Sequence, residues 1–320
     1  MGTKGRDFRP WNRRTWALEL CTGCGMSLMK TLRGPALAIA AFGAICAVFV
    51  TCASARADQS AWVEGFNNKV RLIGIAAPPE GSKAAFMAGV EIEMTPGFKT
   101  YWRSPGDAGG VPPEFDWSGS DNLASARVLY PAPHRLIDKA GANIGYKDRV
   151  IFPVEITPTD PAKPVTLRLR VTYGVCKNIC IPAEAELELG LSGQSESSAE
   201  LAAARGDVPN LLAAGAKPRD AATPVLSSWR IENRGGSSIL VLEVTGAGED
   251  GDVFLFSDEG LYLPMLSKVK SAEPVSVFEG DLSDGANLKE LAGKSIWVTI
   301  SGAKAQSESM IALPKDIAQQ

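Results

Sequence analysis

The sequence predicts an all-β chain: two immunoglobulin-like β-sandwich domains joined by a partly helical linker. Three observations predict it. Short runs of alternating apolar and polar residues recur through residues 58–192 and again through 223–320. Clusters of Gly, Pro, Asn and Asp separate them, as turns separate antiparallel strands. Between the two blocks, residues 193–222 turn rich in Ser, Glu and Gly and then Ala, a linker composition with some helix. A chain of 320 residues with 45% hydrophobic and 22% charged side chains can form two ordinary domains, each with a core.

In chain order, residues 1–57 read as a secretory signal peptide. Lys30 and Arg33 precede an apolar run from Pro35 to Val50, and Ala55-Arg56-Ala57 supplies a small-x-small cleavage site. Met26 and Met29 are alternative starts, which would make residues 1–25 a mis-assigned leader. The rival reading, an uncleaved anchor, needs a longer run, ~20 residues. Cys21, Cys24, Cys46 and Cys52 all fall in this segment and are not expected in the mature protein. The segment also holds 8 Lys/Arg and 2 Asp/Glu, so the remainder carries 25 basic and 34 acidic side chains, a net charge of −9. Such a surface repels phosphate, and no nucleic-acid partner is expected.

Ala85–Met94 is the first well-marked strand, broken by Thr95-Pro96-Gly97. Phe98–Trp102 follows, then a Gly/Pro loop over Ser104–Pro113. Arg103–Asp107 reads as turn chemistry. Glu114–Trp117 and Arg149–Ile156 are further strands, and Pro153 suggests an edge or a bulge in the latter. Val165–Val175 alternates strictly, with Leu167, Leu169, Val171 and Tyr173 on one face and Arg168 and Arg170 on the other. Ala185–Leu191 alternates again. In the linker, Ala199–Ala204 and Pro209–Ala214 read as short helical pieces. Val225–Glu232, Ser238–Val244, Val253–Phe256, Val275–Phe278 and Ser295–Ile300 are the strands of the second sandwich.

The second block contains neither Cys nor His, and the chain shows no phosphate loop, dinucleotide fingerprint, G-x-S-x-G elbow or H-E-x-x-H helix. No cofactor is expected. A single histidine, His134, excludes His-rich metal sites. After removal of the leader only Cys176 and Cys180 remain, and in an oxidising compartment an isolated pair is expected to close as a disulfide. Three residues, Lys177-Asn178-Ile179, separate them between two alternating strands, which places both sulfurs near a hairpin tip. A disulfide reacts only where a thiolate can approach a sulfur, so a tip is open to exchange. Lys177 adds a positive charge that favours a thiolate. The rival reading is a structural staple, although so small a ring removes little chain entropy. The residues alone leave both open.

Three blocks carry a resemblance. Pro96–Arg103, Tyr146–Val154 and Tyr173–Cys176 with Cys180-Ile181-Pro182 occur in an order that resembles the N-terminal periplasmic domain of DsbD-type thiol:disulfide interchange proteins, including the ScsB branch linked with copper tolerance. The resemblance spans about residues 60–192. It implies an immunoglobulin-like fold and a periplasmic location. It further implies a redox-active pair passing reducing equivalents to oxidised partners, as a component of protein-disulfide reductase activity. By position, Cys180 matches the cysteine that forms mixed disulfides and Cys176 the resolving one. Tyr101, Tyr146, Asp138 and Lys177 are candidates to line the site, with Asp138 as a proton acceptor. Tyr101 and Trp102 could line the cysteine site, but aromatics beside a strand are more often core. The stretch His134–Ala142 matches a cap loop, with Leu136 and Ile137 in place of the usual aromatic. The partners implied are periplasmic thioredoxin-like or disulfide-isomerase proteins. The family's multispan membrane and thioredoxin-like domains have no counterpart in this sequence, which implies a membrane thiol carrier on a separate chain as electron donor. Two rival functions stand beside this one: a non-catalytic binding or assembly module with a structural disulfide, and a copper-tolerance protein in which Cys176, Cys180 and His134 bind Cu(I).

Overall fold

Period-two alternation organises the chain into four sheets. The computed structural model describes residues 59–76, 84–139, 141–191, 198–217, 220 and 222–317. The predicted signal peptide and its four cysteines lie outside these residues. Among the described residues, no helix is long and apolar enough to cross a membrane.

The first sandwich comprises β1 (Val63–Gly65), β2 (Asn68–Ala76), β3 (Phe86–Met94), β4 (Lys99–Tyr101), β5 (Glu114–Asp116), β6 (Leu123–Val128), β7 (His134–Asp138), β8 (Gly141–Lys147), β9 (Arg149–Pro158), β10 (Val165–Cys176) and β11 (Cys180–Leu191). One sheet runs β1-β2-β3-β9-β6, and the other runs β11-β10-β4-β8-β7 with β5 also on β10. Their facing side chains, among them Leu72, Ile92, Phe152, Val154, Leu167 and Val171, form one buried core. Pro153 is not on an edge strand, because β9 pairs with both β3 and β6. Its missing N–H is tolerated because the β6 ladder ends at Val128. Beyond that point only the Pro153 carbonyl is engaged, accepting from the Leu129 N–H at 2.7 Å.

Helix α1 (Ala199–Gly206) is capped by the Ser198 hydroxyl, which accepts from the Leu201 N–H. Leu201 and Ala204 pack against Ile73, Met87 and Ile151 on the outer face of the first sheet. There the helix also closes over a charge cluster. Glu91 is fully buried and accepts from Arg71 Nε and Arg149 Nε, each at 2.6 Å. A buried carboxylate is tolerated only with partners of this kind.

The second predicted helical piece, Pro209–Ala214, is instead β12 (Asn210–Leu211) followed by a turn. Its Ala and Leu content favours helix, but β12 lies parallel to the last strand and extends that sheet, and this tertiary pairing overrides local propensity. The second sandwich adds β13 (Val225–Arg234), β14 (Ser237–Thr245), β15 (Asp252–Phe256), β16 (Ser267–Ala272), β17 (Val275–Asp281), α2 (Leu288–Leu291), β18 (Ser295–Ser301) and β19 (Gln306–Ala312). Its sheets run β12-β19-β18-β15 and β13-β14-β17-β16 over a core that includes Leu242, Val253, Phe278 and Val298.

All five tyrosines sit where burial disfavours the phenolate. Tyr101, Tyr146 and Tyr173 are raised, and Tyr130 and Tyr262 are each pushed up to about 12. The unfolded chain releases these protons near pH ~10. Their contribution to stability is therefore full below that pH and is lost as pH rises through the folded values. Phenolate absorbance of the native protein should stay nearly absent at pH ~10 and rise together with unfolding above it. A native spectrum with half of the tyrosines ionised at pH ~10 contradicts this packing.

Candidate functional site

The β10–β11 hairpin pairs Val165 with Leu191 and continues without a slip to Cys176 opposite Cys180. Side chains alternate between the two faces. Val165 through Val175 at odd positions enter the core, while Arg168 and Arg170 face outward and meet Glu188 and Glu186. Cys176 and Gly174 share the outward parity. The unbroken register brings the two cysteine Cα atoms to 4.1 Å, and the sulfurs are joined as a disulfide. The two ends of that bond differ in environment. Cys180 is exposed, whereas Cys176 is only 2% exposed although it points away from the core.

Neighbouring strands bury Cys176 from outside. Lys99 of β4 is its register partner, and Lys99 and Tyr101 share the same outer face. Both side chains are buried. Tyr101 Oη lies 3.6 Å from Cys180 Sγ. A disulfide sulfur carries no hydrogen, so the phenol is the donor. Burial first, and the nearby Asp138 carboxylate second, raise the Tyr101 pKa, so it stays a protonated donor through neutral pH. The Lys99 ammonium sits 6.0 Å from the Tyr101 ring centroid. It donates to Asp138 Oδ2 at 2.5 Å and to Asn143 Oδ1. Asn143, also buried, donates in turn to the Gly109 carbonyl at 2.8 Å.

That last bond brings the Gly/Pro loop 104–113 onto this face. Gly110, with φ +153°, lies flat against Tyr101, and a side chain there would overlap the ring. The Gly174 N–H donates to the Val111 carbonyl at 3.0 Å. A Cβ on Gly174 would stand 3.1 Å from Cys180 Sγ, 3.1 Å from the Tyr101 ring and 3.2 Å from Val111 Cβ. Sulfur, phenol ring and loop thus converge above the glycine that precedes the pair by two residues.

Of the residues predicted to line the site, Tyr101 and Asp138 fall here with Cys176 and Cys180. Tyr146 does not. It pairs with Thr100 rather than with Tyr101 and so takes the opposite face, where its hydroxyl donates to the Pro131 carbonyl and its ring meets Phe152 edge-on at 5.4 Å. Trp102 is likewise core. Lys177 turns its ammonium over the Phe98 ring at 5.4 Å. The stretch matched to a cap loop is a hairpin of β7 and β8, with Leu136 buried and Ile137 exposed. His134 opens that hairpin opposite Gly145, and among the described residues no group of three or more His, Cys, Asp and Glu could hold a metal ion. Lys99, Asn143, Gly110 and Val111 were not singled out from the sequence. The usable signals were the Lys99/Tyr101 alternation and the glycine density of 104–113.

The chain matches no curated protein. Residues 75–192 match the family model described as thiol:disulfide interchange protein DsbD, N-terminal. Among solved structures, the N-terminal periplasmic domain of ScsB from Proteus mirabilis is similar. It has 20% identity and a TM-score of 0.57, over 81% of this chain and 99% of that one. With the pair at the tip of its hairpin, the segment 75–192 carries the match to the DsbD-type N-terminal domain, and the chain has an all-β fold similar to that of the ScsB domain.

Proposed function

We propose that the protein is a periplasmic thiol:disulfide interchange protein that relays reducing equivalents through Cys176 and Cys180. The observation that carries this is the asymmetry of the pair, one sulfur exposed and one buried. A donor thiolate can reach only Cys180. It attacks Cys180 Sγ, the S–S bond breaks, and Cys176 leaves as a thiolate that takes a proton. The donor's second thiolate then attacks the mixed disulfide and releases Cys180. Two electrons have entered and the donor has become a disulfide. In the second half, the Cys180 thiolate attacks an oxidised partner and Cys176 resolves the mixed disulfide, restoring the original bond. Each step exchanges one S–S bond for another.

Tyr101 supports the same roles, because its hydroxyl is placed to donate to a Cys180 thiolate. Lys99 adds a buried positive charge in register with Cys176. The partners are proteins of thioredoxin-like or isomerase type, docking over the exposed Ile179 and Val111 that flank Cys180 (71% and 41% exposed). The donor is a membrane thiol carrier on another chain.

Equilibration of the mature protein in glutathione buffers tests the reading. The pair should titrate within the range of periplasmic carriers, whereas a pair still oxidised below about −300 mV is a structural staple and overturns it. A Cys176→Ser variant should accumulate mixed disulfides through Cys180 with an oxidised thioredoxin-like protein. A Cys180→Ser variant should accumulate few, and equal trapping by both refutes the assigned roles. In Cys176→Ser, adding Tyr101→Phe should raise the Cys180 thiol pKa by about one unit, read from the pH dependence of alkylation. An unchanged profile removes Tyr101 from the site.

A further inference from the structure

We propose that the second sandwich tunes the cysteine pair by holding loop 104–113 against Tyr101 and Cys180, with Asp107 as the positioning residue. The significance of this for electron transfer rests on the redox reading above, but the geometry stands apart from it. The loop is gripped on two sides. Toward the first sandwich, the Ile144 N–H donates to the Pro105 carbonyl at 2.8 Å, the Ala108 N–H donates to the Ala142 carbonyl at 3.2 Å, and Asn143 holds Gly109. Toward the second sandwich, Asp107 Oδ1 accepts from Tyr262 Oη at 3.0 Å and from the Met265 N–H at 3.2 Å. One residue further on, the Leu266 carbonyl accepts from Arg135 Nη2 at 2.7 Å, and Asp252 takes the same guanidinium in a two-point pair at 2.8 Å.

Residues of the second sandwich therefore reach both the loop and the β7–β8 hairpin that carries Asp138 and Asn143. Gly106, at φ +86°, permits the close approach, since a Cβ there would stand 3.1 Å from Met265 Sδ. The consequence reaches the sulfur through two contacts. Gly110 packs on the Tyr101 ring, whose hydroxyl meets Cys180 Sγ, and Val111, bonded to Gly174, stands with the same sulfur around the position a Gly174 Cβ would take, at 3.2 Å and 3.1 Å from it. Cys180 is left open on the remaining side. Releasing Asp107 should loosen this wall while leaving the strand ladders of both sandwiches in place.

The test is the rate at which dithiothreitol reduces the disulfide in the native, full mature chain. Asp107→Ala removes the acceptor of both hydrogen bonds and should speed reduction about fivefold. Asp107→Asn keeps an acceptor oxygen at Oδ1 and should stay within about twofold of the wild-type rate. Tyr262→Phe, which loses one of the two bonds at an exposed side chain, should fall between them, and it serves as the second variant if Asp107→Ala folds poorly. Exchange protection of the Gly174 amide should fall as the reduction rate rises, and the urea midpoint should hold, because a merely structural role would move the midpoint instead. Wild-type rates and Gly174 protection in Asp107→Ala and Tyr262→Phe overturn the proposal, as does an Asn variant as fast as the Ala variant. The reducing potential of the pair is a separate readout. A structural staple can still be walled by this loop, and an exchanging pair can lack the coupling, so the two readings fail independently.

Discussion

The site depends on the uninterrupted register of one hairpin. Because side chains alternate with period two, a single-residue slip between β10 and β11 would carry Cys180 to the core face while Cys176 stayed outward, and no disulfide could form. What prevents the slip is the length and apolar character of the inward rows. Leu167 faces Leu189 and Leu169 faces Leu187, all buried. On the other face Arg168 meets Glu188 and Arg170 meets Glu186. These exposed ion pairs contribute little energy, but out of register they would set like charges side by side. The core thus fixes where the sulfurs are, although neither sulfur belongs to it.

The next constraint is three consecutive residues at and just beyond the end of β4. Tyr101 faces the disulfide. Trp102 enters the core and meets Phe254 and Phe256 of the second sandwich at 6.1 Å and 6.0 Å. The Arg103 guanidinium lies over the Trp102 and Phe256 rings, at 4.6 Å and 4.2 Å, and is paired with Glu308. Aromatic pairs contribute about 0.5–1.5 kcal/mol each beyond their burial, and cation–π contacts of ~0.5–2 kcal/mol add to that. A segment tied this way on both sides cannot move Tyr101 without disturbing the junction. This makes the junction between sandwiches part of the site's architecture and not a hinge beside it.

Much of the fold was legible because alternation is a property of single strands. Val165–Val175, Ala85–Met94 and the main strands of the second sandwich announce themselves, and the cysteine pair stands out by being alone. What escaped depends on pairing between distant segments. His134–Asp138 has no strong alternation and becomes a strand only because β8 lies beside it. Gln306–Ala312, rich in polar residues, is placed between β18 and β12, with Ser307 and Ser309 buried. The Tyr146 misplacement has the same origin. Both Tyr101 and Tyr146 sit in the resembling blocks, but which face each takes follows from the β4–β8 register, and the register puts Thr100 opposite Tyr146. The Gly/Pro content of 104–113 correctly marks a loop, but composition cannot say where a loop lies.

The environment of the two sulfurs also bears on which redox state the scaffold favours. In the proposed exchange, a Cys180 thiolate gains the Tyr101 hydroxyl, which stabilises the reduced form. Cys176, almost fully enclosed and in register with Lys99, is the sulfur that an incoming partner does not reach in that proposal. Under the proposed roles, the hydrogen bond favours Cys180 as the attacking sulfur, and enclosure holds Cys176 back until a mixed disulfide brings it a target. One pKa unit is about 1.4 kcal/mol, equivalent to about 30 mV for a two-electron couple. Under that proposal, a stabilisation of one pKa unit at one sulfur would shift the couple by about 30 mV. In this molecule both effects are exerted by side chains on the outer face of a sheet whose inner face does the folding, so reactivity can change with little cost to the core.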